Sequence, residues 1–564
     1  MRSSVLAISA AALLLLGAAP APVAYRLTPV IEAGALQALE VEIALAGDAD
    51  GETRIQLPER WAGTGELYKQ VHGFTAEGAQ VSDDGPTVRV LRHAPGAPLM
   101  VRYRVRAAYE DEPGRNASKA NPIVRPGWFY AMGEGLFATP EGREHARATF
   151  AWGPLPAGWK AASDLEQLAA NRGLVEDVVE STSIGGPDLR IITRTVQGAP
   201  LRIALRGNWP ARDEAVAELA ARIVEASGRF WGDPGRPYLL TIGPLVAAGG
   251  TTTNGTGRGD GFAVLSTDDV DLTKEAFFLS HEYQHSWISN RIGGLPDRDE
   301  ALDYWLTEGF TDHYASRNLL RGGVWSLSDV LSKDNEILAR YASSPARNMT
   351  AAEYMPVFWT NQDAGQAPYD RGRLLALVLD AELRRAGGVR LDDVMLAQKR
   401  EAAANAAAGR RVTAAQLFPV VYHRLTGRHP AALIERHVMR AEPIVLPPDV
   451  YGPCVVVRSL EIPSFDRGFD GAKSAETGVI TGVDPNGPAY AAGLRDGMKR
   501  LGREGGKEGD SRVEIGYRVA DAAGERLIRY RPEGRGRLGL QQLELKPGLS
   551  PAAEEACVRG ILGG

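Results

Sequence analysis

Cysteine is almost missing from this chain of 564 residues: only Cys454 and Cys557 occur, both towards the C-terminal end. Two thiols are too few for a cysteine metal cluster, and in an exported protein they suit a single disulfide tying the tail to the last domain. Beyond the N-terminus no apolar run is long enough to cross a membrane. Basic blocks are missing too. Lys+Arg 64 against Asp+Glu 70 leaves a net charge of −6, so no electrostatic footprint for nucleic acid is present. Internal repeats and long low-complexity tracts are likewise lacking. What remains, 44% hydrophobic and 24% charged, is ordinary for globular protein.

The N-terminus is distinctive. Met1-Arg2 precedes the apolar run Val5 to Leu16, followed by Gly17 and the small-x-small sites Ala19-Pro20-Ala21 and Pro22-Val23-Ala24. This is the shape of a signal peptide over residues 1–24. The alternative, a membrane anchor, needs about 20 continuous apolar residues, and the run is shorter. The expectation is an exported protein, periplasmic or extracellular, with no transmembrane segment after cleavage.

At about 150 residues per domain, the length predicts three or four domains. Residues 25–210 carry period-two segments such as Leu39 to Leu45 and Leu189 to Val196, predicting an antiparallel β-sandwich. After Pro210 the period changes. Asp213 to Phe230 reads as a helix with Val216, Leu219, Ala220, Ile223 and Val224 on one face. Strands are predicted at Tyr238 to Ile242 and Phe262 to Leu265, around a Gly/Thr-rich loop. Helices then dominate a catalytic domain spanning residues 211–442. Residues 443–453 hold four prolines and read as a linker. Residues 454–564 return to short strands. The fold class is multidomain α+β.

Chemistry concentrates in His281-Glu282-Tyr283-Gln284-His285. The segment has a plausible N-cap at Thr273 and a stop at Gly293-Gly294. On a helix, positions i and i+4 share a face, so both imidazoles reach one zinc ion. Glu282 falls beside that face, where a carboxylate takes a proton from the water that zinc activates. A catalytic zinc needs a third protein ligand. The next predicted helix, Ala301 to Leu320, offers Glu308, with Asp312 and His313 as lesser alternatives. Asp312, four residues on, is placed to accept the outer N–H of a ligating histidine.

The HExxH segment followed by Trp305-Leu306-Thr307-Glu308-Gly309-Phe310-Thr311-Asp312 resembles the glycyl aminopeptidase-like family of gluzincin zinc metallopeptidases. Trp287, Arg291 and the segment Tyr369-Asp370-Arg371-Gly372 are similar to further motifs of that family. The resemblance implies an N-terminal β domain, a thermolysin-like, mainly helical catalytic domain and a C-terminal PDZ domain. It also implies that Tyr369 donates a hydrogen bond to the oxyanion of the tetrahedral intermediate. The tail carries Gly487-Pro488-Ala489 and Ala492-Gly493-Leu494, which are PDZ-like. Ser464 to Phe469 is then its candidate carboxylate-binding loop, for a C-terminal peptide as partner. A purely structural PDZ-like domain remains equally open.

Specificity is the open point. Family aminopeptidases bind the substrate's α-amino group with a strand glutamate. Here Gly249-Gly250-Thr251-Thr252-Thr253-Asn254 stands in that place, so Gly250, Thr252 and Thr253 are the substrate-binding candidates, with Asp260 as a substitute carboxylate. The expected function is a zinc metallopeptidase acting on peptide or protein substrates, aminopeptidase first. The alternatives are an endopeptidase on the same scaffold and a non-enzymatic peptide-binding scaffold.

Overall fold

The computed structural model describes residues 21–168, 173–247, 251–258 and 260–563. Residues 1–20 of the expected signal peptide, with Gly249 and Gly250 of the expected substrate strand, lie outside them.

The N-terminal β region builds several sheets around one apolar core. Leu39, Val41 and Ile43 alternate inward along the strand Ala35–Ala46, as a half-buried strand must. Pairing is mostly antiparallel, as expected, but Val23 to Leu27 runs parallel to Ala148 to Trp152. That departs from a wholly antiparallel layout.

The central region is organised on a five-stranded sheet in the order Arg190–Val196, Ala199–Leu205, Tyr238–Leu245, Gly261–Thr267, Thr253–Gly257. Its first two strands were grouped by sequence with the N-terminal β region, yet they hydrogen-bond into this sheet. The helix Asp213–Trp231 forms the crossover between two parallel strands, and it buries Val216, Leu219, Ala220 and Ile223. The Gly/Thr-rich stretch is no loose loop, since Thr253–Gly257 is the edge strand.

Residues 443–453 lack regular strands or long helices, but they are no free linker. Ile444, Leu446, Val450 and Tyr451 are buried in the same core as the catalytic helices. Leu446 exchanges two hydrogen bonds with the Gln541 side chain, at 2.7 and 2.9 Å. Beyond this strap, Val455–Phe465 pairs with Glu533–Leu545, and a separate three-stranded sheet closes over a small core that includes Ile480, Leu494, Ile515 and Tyr517. Cys454 and Cys557 form a disulfide that ties the last helix, Pro551–Leu562, to the start of this region. Among the described residues no helix is long and apolar enough to cross a membrane.

Candidate metal centre

The HExxH helix runs from Ala276 to Gln284. Asp271, not Thr273, caps the 3-10 turn before it, accepting from the Thr273 amide at 3.1 Å. The helix stops at Gln284, well short of Gly293, because the following turns are claimed by tertiary packing. Trp287 and Ile288 are fully buried, and the Trp287 ring stacks on Trp231 with centroids 5.7 Å apart. Trp287 and Arg291 both donate to Asp233.

The second helical segment breaks at the residue that matters. Tyr304–Thr307 and Gly309–Arg321 are separate helices, and Glu308 sits at the junction with φ −111°. The helix Gln362–Ala386, which carries Tyr369, crosses at this junction. A Cβ on Gly372 would lie 1.8 Å from the Trp305 carbonyl oxygen, and one on Gly309 would lie 2.4 Å from the Gly372 Cα. Only glycine at both positions permits that approach.

These two elements bring His281, His285 and Glu308 together, with ligand atoms all within 4.8 Å of one another. Glu308 Oε2 lies 3.2 Å from His281 Nε2 and 3.5 Å from His285 Nε2. Zinc bonds of 2.0–2.2 Å in a tetrahedron set ligand atoms roughly 3.4 Å apart, so the donor set fits that ion in both chemistry and spacing. Asp312 accepts from His281 Nδ1 at 2.8 Å. A carboxylate can only accept, so Nδ1 carries the hydrogen and Nε2 faces the cluster. Burial works against charge on His281, but its hydrogen bonds to Asp312 and Glu308 prevail and hold its pKa well above the ordinary value. Burial likewise opposes ionisation of Glu308, whose neighbours His285 and His281 nevertheless bring it down to about 2. A pocket that favours positive charge in this way also favours a metal cation.

Glu282 is only 8% exposed. Tyr369 lies across from His281, with its ring 6.3 Å away and nearly parallel. Burial, reinforced by Glu308, pushes the Tyr369 hydroxyl well above its usual pKa, so it remains a neutral donor. The residues after it clamp the helix in place. Asp370 pairs with Arg340, Arg371 donates to the carbonyls of Ala346, Arg347, Met349 and Val438, and Arg373 bonds Asp334, Ser316 Oγ and the Asp312 carbonyl. His313, the alternative ligand, is buried outside the cluster beside Tyr314.

The expected substrate residues are placed differently. Thr253 shares a hydrogen bond with Ser266, and Thr252 pairs through its backbone with Thr267. Asp260 does not fold back, being ion-paired with Arg236 at 3.0 Å. The strand residues against the ligand helix are Gly255 and Gly257. A Cβ on Gly257 would lie 2.7 Å from His285 Cβ, and one on Gly255 would lie 2.6 Å from the Phe278 ring. Glycines two apart on a strand share one face, and that alternation was the available signal. Lys119 and Arg258, which also approach this edge, carried no such signal.

The model of the M61 glycyl aminopeptidase family matches residues 274–367, the stretch holding His281, His285 and Glu308. Among solved structures, the chain is similar to an aminopeptidase N family protein from Idiomarina loihiensis at TM-score 0.68 and 16% identity, covering 95% of this chain and 100% of that one. It is also similar to an M1 zinc metallopeptidase from Deinococcus radiodurans at TM-score 0.49 and 16% identity, covering 76% of this chain and 96% of that one. No curated protein matches the sequence. The site, with the family match over the segment that holds it, is that of a zinc metallopeptidase. Within that class the metal-binding segment is similar to the M61 glycyl aminopeptidases.

Proposed function

We propose that the protein is an exported zinc peptidase that removes N-terminal residues from peptides. The observation that carries the hydrolytic reading is the joint presence of the His281–His285–Glu308 cluster, Asp312 on His281 Nδ1, and Tyr369 across from it. Zinc, when bound, supplies Lewis-acid activation of water and of the scissile carbonyl. Glu282 takes the proton from the attacking water and passes it to the departing amine. Tyr369 donates to the developing oxyanion. Asp312 keeps His281 in the ligating tautomer. The outward backbone of Gly257 pairs with the substrate as an added strand.

The family match supports the aminopeptidase preference, and the Cys454–Cys557 disulfide supports export to an oxidising compartment. We read residues 454–564 as a PDZ-like domain in a structural role. In the Ser464 to Phe469 loop the Asp466 amide bonds the Pro532 carbonyl and the Gly468 amide bonds the Asp466 side chain, which leaves fewer donors for a peptide carboxylate.

Two measurements test the function. Glu282→Gln is expected to retain zinc and lose turnover by several orders of magnitude, and near-normal turnover by that variant rejects the mechanism. A peptide with a free N-terminus is expected to be cleaved and its acetylated twin spared; equal cleavage of the two selects the endopeptidase instead.

A further inference from the structure

Among the described residues, the edge strand Thr253–Gly257 has a sheet neighbour on one side only. Thr267 N bonds Thr252 O at 2.9 Å and Arg258 N bonds Gly261 O at 2.7 Å. Positions 252 and 258 therefore face the partner strand, and alternation turns the backbone groups of Thr253, Gly255 and Gly257 outward. One outward acceptor is already engaged. Lys119, reaching in from the N-terminal β region, donates from Nζ to Gly255 O at 2.6 Å. Its ammonium and the Arg258 guanidinium share the Trp61 ring, 5.5 and 5.1 Å from its centroid. Arg258 is satisfied by Glu134 and the Glu180 carbonyl. Lys119 has no carboxylate partner among the described residues.

Burial lowers the pKa of Lys119, while the carboxylates of Glu282 and Glu308 act in the opposite sense. Gly257 rests on His285, and Gly255 is two strand residues away, about 7 Å. A peptide paired with this edge, its scissile bond at the metal ligands, runs out of free backbone at Gly255 and meets an ammonium there. That charge attracts a carboxylate and repels an α-ammonium. The chain end seated there is the C-terminal one, and its carboxylate offsets the lost hydration of the lysine.

We propose that Lys119 is a specificity-determining residue that binds the α-carboxylate of a short peptide, two or three residues long, and ends the substrate strand at Gly255. This rests on the peptidase reading above and gives it a substrate class. The test compares a tripeptide acid with its C-terminal amide on zinc-loaded wild type, Lys119→Met, Lys119→Gln and Lys119→Arg. The wild type is expected to favour the acid in kcat/KM by about 10- to 100-fold. Lys119→Met and Lys119→Gln bring the acid down to the level of the amide, and Lys119→Arg keeps most of the preference, with zinc content unchanged in all. Binding of the same two peptides to zinc-loaded Glu282→Gln protein, with and without Lys119→Met, reads the preference without turnover. Equal handling of acid and amide by the wild type, or a preference that survives loss of the lysine, overturns the proposal. Binding selectivity for the acid with no hydrolysis of either peptide removes the peptidase reading and leaves the role of Lys119 standing.

Discussion

Asp312 and Glu308 act on one imidazole from its two nitrogens, and that arrangement separates holding a metal from turning over a substrate. Tyr369 belongs to the second task. Tyr369→Phe is expected to keep zinc and KM while kcat falls by about 10²- to 10³-fold, the pattern of a contact made in the transition state. An unchanged kcat removes the tyrosine from the mechanism. A different residue sets a pH effect on stability. Burial raises the carboxyl pKa of Asp164 to about 7, against the opposing Thr182 amide and Arg258. The unfolded chain sheds that proton near pH 4, so between about pH 4 and 7 the folded state binds more protons and this group costs stability as pH rises. Asp164→Asn should therefore unfold at a higher temperature than wild type at pH 8, with the gap closing by pH 4. A gap that does not change with pH disproves the assignment. At this scale the ligands were legible, because spacing on a helix translates directly into a shared face. Lys119 and Arg258 were not, because nothing local marks a side chain that reaches across a domain boundary.

Elements meet at the site through missing side chains. The Gly309–Gly372 crossing brings the Tyr369 helix onto the Glu308 junction, and Gly255 with Gly257 lets the edge strand lie on the HExxH helix. Gly372→Ala is expected to force the helices apart, lowering both the unfolding midpoint and zinc occupancy. Gly294→Ala, whose Cβ meets nothing within 4 Å, should alter neither. Equal effects of the two would show that the crossing does not require glycine. The crossover helix from Asp213 was readable from its apolar period. The break at Glu308 was not, because Ala301 to Leu320 has a sound helical pattern that the crossing partner interrupts at that residue. The Gly/Thr-rich stretch read as a loop between two strands, whereas Gly255 and Gly257 serve close packing.

Across the whole molecule, the tail is stapled to the catalytic core. Ile561 O accepts from Arg317 at 2.7 Å, and Arg317 pairs with Asp380 at 3.1 Å, all of it buried. The disulfide closes a loop of 103 residues in sequence separation, worth up to about 4–5 kcal/mol by chain entropy. A Cys454→Ser/Cys557→Ser double variant should unfold at a lower denaturant concentration than the oxidised wild type, and the wild type should show no alkylatable thiol before reduction. Free thiols in exported, unreduced protein would remove the bridge.

The residues in order were enough for the zinc chemistry, the multidomain α+β class and the pairing expected of the two cysteines, because each follows from short-range spacing or from simple count. Tertiary contact alone decided where the HExxH helix stops, that residues 443–453 are a packed strap, and that a lysine from the first region bonds the edge strand at Gly255. Those outcomes depend on burial and charge contributed by segments from 54 to 136 residues apart, which no local pattern encodes.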